Sequence, residues 1–354
     1  MMKIYSLYLP QFHETEENNK WWGKGFTEWT NVKKAKPLFP GHQQPKVPLN
    51  NNYYDLLNKE SVVWQTKLMN KYGIDGFIYY HYYFKGKLLL EKPAENLLKW
   101  TDIQQPFFFC WANHSWNRSW EGKRTILMDM DYGNKDDWKK HFDYLLPFFK
   151  DERYQKVDNR PLFMIYDSNG PLISEITKYF DSLCKKEGFD GIKVINELFE
   201  YPSSEINSLN YNYISQPSAS RISITNNKNF FEKLKNKIIR KITQKGYFKK
   251  VELLEGDYLY SDMLEHSQIF KNKNNIPGIF FEWDNTPRHG YRGSIIKSVS
   301  KSCFLNYMDS IADSEFVIVN AWNEWAEGMI LEPTEEKSYQ YLEWIRDWKD
   351  RNNN

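Results

Sequence analysis

Near the C-terminal end of this 354-residue chain, Phe316-Val-Ile-Val-Asn-Ala-Trp-Asn-Glu-Trp-Ala-Glu-Gly328 joins a short β-branched run to a cluster of carboxylates, amides and indoles. The apolar run reads as a buried strand. Glu324 and Glu327 follow it three residues apart, close enough to share one site where the chain turns or opens a helix. Two carboxyl groups in one site are the equipment for breaking or making a glycosidic bond, one exchanging a proton and the other activating the attacking group. Trp322 and Trp325 add flat surface on which sugar faces stack, and Asn320 and Asn323 add hydrogen-bonding amides. A plain helix start also favours two acids through its dipole. It has no use for indoles and amides in the same positions.

The elements that must position this cluster are legible as short apolar runs at Lys3–Leu9, Gly76–His81, Phe107–Trp111, Leu162–Tyr166, Ile192–Ile195, Tyr213–Ser215, Gly278–Glu282 and Phe316–Asn320. Amphipathic segments such as Ser61–Tyr72, Trp138–Phe149 and Ile173–Glu187 separate most of them. Strand–helix alternation predicts a parallel sheet with helical crossovers. Eight such units predict an α/β fold of the (β/α)8 TIM-barrel type, with a doubly wound open sheet as the alternative. On this reading residues 1–350 form one catalytic domain with long aromatic-rich loops at its C-terminal face. It carries a basic helical insertion at about 222–255, and 351–354 is a disordered tail.

A barrel places its chemistry where the strands end. The residues there are Pro10-Gln-Phe-His13, His81-Tyr-Tyr83, Ala112-Asn-His114, Asp167, Asn196-Glu197, Gln216, Trp283-Asp-Asn285 and the Asn323–Glu327 cluster, nearly all polar or aromatic. The candidate substrate contacts drawn from these ends and from the loops are Gln11, His13, Trp29, His81, Tyr82, Trp111, Asn113, His114, Glu282, Trp283, Asp284, Asn320, Trp322, Asn323 and Trp325. Glu197 is either a third acid at the site or a loop charge. Three of the histidines, His13, His81 and His114, fall at strand ends, but no metal-ligand spacing accompanies them, so no metal or organic cofactor is expected.

Two segments exceed a minimal barrel. Glu14–Asn52 holds Trp21, Trp22, Gly23, Gly25 and Trp29 with little periodicity, and reads as a binding loop or a cap packed by its own aromatics. Asn227–Lys250 places Phe231, Leu234, Ile238 and Ile242 at helical spacing among lysines and arginines. Such a helix usually packs its stripe on its own domain; contact with an anionic membrane surface is the alternative.

A formal net charge of +2 argues against a dedicated nucleic-acid binder. Cys110, Cys184 and Cys303 are too few and too scattered for a disulfide framework. The first residues enter a strand at once without the apolar core of a signal peptide, and no run is long enough to span a bilayer. The expected location is cytoplasmic, or peripheral to the inner membrane face if the basic segment docks there.

Taken in order, Tyr8-Leu-Pro-Gln-Phe-His13, Trp21-Trp-Gly-Lys-Gly-Phe-Thr-Glu-Trp-Thr-Asn31, Tyr72-Gly-Ile-Asp-Gly-Phe-Ile-Tyr-Tyr-His-Tyr82, Cys110-Trp-Ala-Asn113, Trp283-Asp-Asn285 and Asn320-Ala-Trp-Asn-Glu-Trp-Ala-Glu-Gly328 resemble the WbsX-like family of bacterial surface-polysaccharide proteins. That family is similar to glycoside hydrolase family 99, and the resemblance runs from about residue 3 to 345. It implies a (β/α)8 barrel acting on a mannose-like sugar of a polysaccharide. It also implies that Glu324 is a base on the sugar 2-hydroxyl, which attacks its own anomeric carbon to form a 1,2-anhydro intermediate. Glu327 is then the acid that protonates the leaving oxygen and later activates water, so configuration is retained. For that role Glu327 must carry a proton when substrate binds, with Trp322 or Trp325 as the apolar neighbours that favour it. Ala326 stands where family 99 hydrolases commonly carry His, and His114 where related sequences carry a glutamate. Retaining hydrolysis, a glycosyltransferase of O-antigen or capsule assembly, and a non-catalytic glycan-binding barrel are the three activities to separate. The partner in each is an oligo- or polysaccharide; sugar, linkage and oligomeric state stay open.

Overall fold

The computed structural model describes residues 2–117, 125–203, 210–227 and 250–352. Its centre is a ring of parallel strands: β1 (Lys3–Tyr8), β2 (Gly76–Phe84), β3 (Phe107–Trp111), β4 (Arg160–Ile165), β5 (Lys193–Leu198), β6 (Tyr211–Ile214), β7, and β8 (Phe316–Val319). The seventh strand is split into Asn275–Ile276 and Gly278–Ile279 because Pro277 between them has no N–H to give the ladder. Its first half pairs with β6, Asn212 against Asn275, and its second half with β8, Gly278 against Ile318. β8 in turn pairs with β1, Lys3 against Phe316, and the ring closes. Gly278 has to be glycine: a Cβ there would sit 2.5 Å from the Ile214 carbonyl oxygen of β6.

The strands are near-continuous apolar runs because both faces are covered, as in any sheet wrapped by crossover helices. In β3 all five residues are buried, and in β8 all four. The long helices are cut to length by local chemistry. Asn58 caps α3 (Lys59–Lys71) through the Glu60 amide. Asn134 and Asp137 form a capping box at the start of α4 (Lys135–Lys150), whose buried stripe is Trp138, His141, Phe142, Leu145, Phe148 and Phe149. α5 (Ile173–Lys186) covers the barrel with Ile173, Ile176, Phe180 and Leu183.

The barrel and the eight expected runs coincide in order. The largest shift is at the seventh, where pairing starts at Asn275 and Phe280–Glu282 lie beyond the last pair. The Glu14–Asn52 segment is less irregular than its sequence suggests. It folds into α1 (Glu16–Trp22) and α2 (Glu28–Lys34), both begun by threonine, and then runs extended through a cis Gln44–Pro45 bond. Of the basic segment, only the lead-in helix α6 (Ser218–Asn227) and Lys250 onward are described; the expected amphipathic stripe lies outside the described residues. Among the described residues no helix is long and apolar enough to cross a membrane.

Candidate active site

The Asn-Glu-Trp-x-Glu segment leaves β8 as a tight hairpin rather than a helix. Asn323 pairs with Ile330 and Glu324 with Met329, and Trp325–Glu327 form a 3-10 turn closed by Gly328 in the left-handed region. Three groups hold the hairpin on the barrel. The Trp322 amide donates to the Leu7 carbonyl of β1 at 2.8 Å. The Asn323 side chain accepts from the Leu9 amide at 2.8 Å and donates to the Leu9 carbonyl at 3.1 Å, taking the place of a strand partner. Glu332, buried behind the turn, accepts four hydrogen bonds: from the Trp322 indole (2.8 Å), the Trp325 indole (2.7 Å), Gln65 (2.7 Å) and Tyr54 (2.8 Å). With both indoles pinned backwards, the turn presents Glu324 and Glu327 to the front.

There the two acids meet Arg288, carried by the short helix α7 (Thr286–His289). The Arg288 guanidinium donates to Glu327 Oε1 through one terminal nitrogen and to Glu28 Oε1 of α2 through the other, which also stands 3.6 Å from Glu324 Oε2. The Trp283 indole donates to Glu327 Oε2 at 3.3 Å. Glu28 is fully buried and Glu324 nearly so. Burial, then the charge of Glu327, raise the Glu324 pKa, with Arg288 opposing. Burial raises Glu28 as well, again against Arg288. Arg288 is itself desolvated, yet the charges of Glu28, Glu327 and Glu324 hold its proton more tightly still. Three carboxyl groups around one guanidinium exceed its charge, so such a cluster retains a proton.

A cavity of about 440 Å³ opens onto this pair, lined by residues from the C-terminal ends of all eight strands. Of the expected contacts, Gln11, Tyr82, His114, Trp283 and Asn320 line it together with Glu324 and Glu327. The others do not, each for a visible reason. His81 points outward to α4 and shares a hydrogen bond of 2.8 Å with His141, both rings kept neutral by burial. Trp111 donates to the Tyr83 carbonyl, and Trp29 to the Tyr54 carbonyl, where it packs on Phe12 and Trp325. His13 is buried, with Asp55, Glu91 and Lys92 as its charged surroundings. Asn113 clamps the loop after β4 through the Asp167 amide and carbonyl. Glu282 is held by Lys46 at 3.1 Å, with Ser298 and Tyr341, and Asp284 by His42 and Gln44, fastening the long loop to the rim. Trp322, Trp325 and Asn323 serve the hairpin, so the ring beside Glu327 is Trp283, not Trp322 or Trp325. The three strand-end histidines do not meet; only His114 lines the cavity.

Arg288, Glu28 and Glu332 were not among the expected site residues. Glu28 sits inside the Gly25-Phe-Thr-Glu-Trp segment and Arg288 just past Trp283-Asp-Asn285, so each was adjacent to a recognised motif. Their pairing spans 260 positions and leaves no local signature.

The chain is thus a (β/α)8 barrel with a paired-carboxyl cavity at its C-terminal face. The chain matches the family model described as glycosyltransferase WbsX over residues 4–345, and it belongs to that family. Two Xanthomonas campestris pv. campestris proteins, both described as uncharacterized protein WxcX, are 30% identical over 97% of this chain and 49% of their own length. The chain thus spans about half the length of the curated relatives it matches. Among solved structures, a GH99 endo-α-mannosidase from Bacteroides thetaiotaomicron superposes with a TM-score of 0.57 at 14% identity, covering all of this chain and 98% of that one. A glycoside hydrolase-like protein gives 0.60 at 11% identity, over 98% and 93%. Both likenesses are of fold.

Proposed function

We propose that the protein acts on glycosidic bonds of a mannose-like sugar in a bacterial surface polysaccharide, by retaining hydrolysis through Glu324 and Glu327. The observation that carries this reading is the pair itself: two carboxyl groups on one hairpin, joined by one guanidinium, facing a cavity that every barrel strand lines. Glu324 takes the proton of the sugar 2-hydroxyl, which closes onto the anomeric carbon. Glu327 protonates the departing oxygen and then draws a proton from water as it opens the anhydro ring, while O2, released from the anomeric carbon, recovers its proton from Glu324. Burial favours the shared proton on Glu324, so this reading requires a bound sugar to shift it to Glu327, with Arg288 between them following the remaining charge. Tyr82, Trp116 and Trp283 supply rings for sugar faces, and Gln11, His114 and Asn320 supply polar contacts.

The family's description as a glycosyltransferase supports a second reading, in which the same pair serves transfer from an activated donor. Peripheral membrane contact through Asn227–Lys250 belongs with that reading, since it would bring the barrel to lipid-linked acceptors.

The test is incubation of purified protein with the surface polysaccharide of its host, with and without activated sugar donors, followed by NMR of the products. Cleavage without donor, with the first-formed anomer keeping its configuration, is expected for wild type. Loss of roughly 10²–10⁴-fold in both Glu324→Gln and Glu327→Gln accompanies it. Extension only with donor would replace hydrolysis by transfer. No turnover under either condition, with binding intact in both variants, would leave a glycan-binding barrel.

A further inference from the structure

The cavity holds a third carboxyl group that the acid pair does not use. Glu197 ends β5, three places round the ring from β8, and so reaches the cavity from a different wall than the Glu324/Glu327 hairpin. It is only 4% exposed, and its Oε2 has no hydrogen-bond partner among the described residues. Ser215, at the end of β6, bonds the carboxyl group from one side. The other titratable groups around it are Tyr80 of β2, Cys110 of β3, Tyr166 after β4 and Tyr213 of β6, all kept in their neutral forms by burial. Among the described residues no guanidinium or ammonium group contributes to its environment. Arg221 of α6, which also lines the cavity, is turned to Glu252 at 3.1 Å and to the face of Trp283 at 4.6 Å.

A buried polar atom without a partner costs free energy, and an ionised carboxylate without a cation costs far more. Burial accordingly pushes the Glu197 acid up to about 8. An uncharged carboxyl offers one donor and one acceptor side by side, and a sugar hydroxyl offers the same two in return. An ammonium group of a substrate would demand the ionised form, which nothing else at this wall supports.

We propose that Glu197 is a specificity-determining residue of the sugar site, binding a substrate hydroxyl as an uncharged acid from the wall away from the Glu324/Glu327 pair. This deepens the reading of the cavity as a sugar site and rests on it. Tyr80 and Tyr166 line the same cavity as Glu197 and the acid pair, so the two walls face one ligand space.

The test has one arm without ligand and one with. Infrared difference spectra of wild type against Glu197→Gln, with carbonyl-labelled glutamate, should show a protonated-carboxyl band at pH 6 that fades as pH rises through about 8. Absence of that band at pH 6 overturns the proposal whatever the ligand. For binding, oligosaccharides released by mild acid from the host's surface polysaccharide are titrated calorimetrically in a Glu327→Gln background, so that the probe is not consumed. Glu197→Gln, which keeps a neutral donor and acceptor, should bind within about threefold of its parent and lose the parent's weakening above pH 8. Glu197→Ala should lose about tenfold or more. A glutamine variant as weak as the alanine variant would mean that a carboxylate grips a substrate cation, overturning the hydroxyl assignment. Equal binding by all three proteins at every pH overturns Glu197 alone. No binding by the parent removes the sugar site, and this proposal with it.

Discussion

Arg288 carries more of this site than its place in the sequence announces. It is the shared counter-charge of Glu28, Glu324 and Glu327, which come from α2 and from the hairpin after β8. Removing it in Arg288→Ala leaves Glu28, with no exposed surface, as a buried and unpaired acid. Breaking one side of a buried pair typically costs about 3–5 kcal/mol, and that loss is expected in urea unfolding at neutral pH. Converting both partners in Glu28→Gln/Arg288→Met should recover most of it, because the apolar stem refills the space. If the double variant is no more stable than Arg288→Ala, the cost lies in packing rather than in the stranded charge. At this scale the sequence was legible by residue type but not by direction. Glu324 and Glu327 were recognisable as a pair, whereas Trp322, Asn323 and Trp325 carry the same sugar-binding chemistry and point the other way. What turned the two indoles is Glu332, seven to ten residues on, and an isolated glutamate offers nothing in sequence to mark it as their anchor.

The hairpin from Asn323 to Ile330 is the element that carries both acids of the proposed site, and Gly328 sets its shape. Gly328 lies at a φ of +66°, and a Cβ there would stand 2.8 Å from the Asp284 amide nitrogen. Asp284 follows Trp283, whose indole bonds Glu327, so a clash at this point shifts the ring against the acid. Gly328→Ala should therefore lose about 1–2 kcal/mol of stability from the strained backbone and the forced contact. Turnover should fall further, by about tenfold or more, since small displacements of a catalytic group are costly. Paired unfolding and activity assays check this. Undiminished turnover in a destabilised variant would show that the Trp283–Glu327 contact has no bearing on the reaction. The long segment Glu14–Asn52 is an element that sequence periodicity could not parse. Its two helices are seven residues each, too short for a periodic stripe to emerge, and its contacts run to Arg288, Asp284 and Glu282 across more than 230 positions.

For the whole molecule, the barrel was the most legible feature because parallel strands buried on both faces leave continuous β-branched and aromatic runs. Ring closure at Pro277 was not, since a proline inside a two-residue pairing reads as a break. The same burial that makes the fold legible sets its response to pH. Glu197 and Glu332 hold their protons up to about 8 and about 7 in the folded chain, against an ordinary 4.5, because burial disfavours their charged forms; for Glu332 it does so even against four donated hydrogen bonds. Between the ordinary 4.5 and their raised values of about 8 and about 7, these two groups thus bind more protons in the folded chain than in the unfolded one. By linkage the stability these two groups contribute is complete below the unfolded value, declines as pH rises through that window, and is exhausted above it. Glu282 acts in the opposite sense. Burial works against its charge, but Lys46 and Lys337 lower its pKa, so its contribution is present above the ordinary glutamate value and is lost as pH falls through the lowered one. Burial also lowers the pKa values of His81 and His141, so their contribution grows as pH rises towards the ordinary 6.5. The trends together place maximum stability near pH 6.5, and calorimetric melting of wild type should show Tm falling from about pH 6.5 to 8, with Glu197→Gln flattening that fall because glutamine has no proton to lose. A wild-type Tm that is level across this interval would mean that Glu197 and Glu332 ionise at no cost, and the apolar walls around them would have to be opened to solvent.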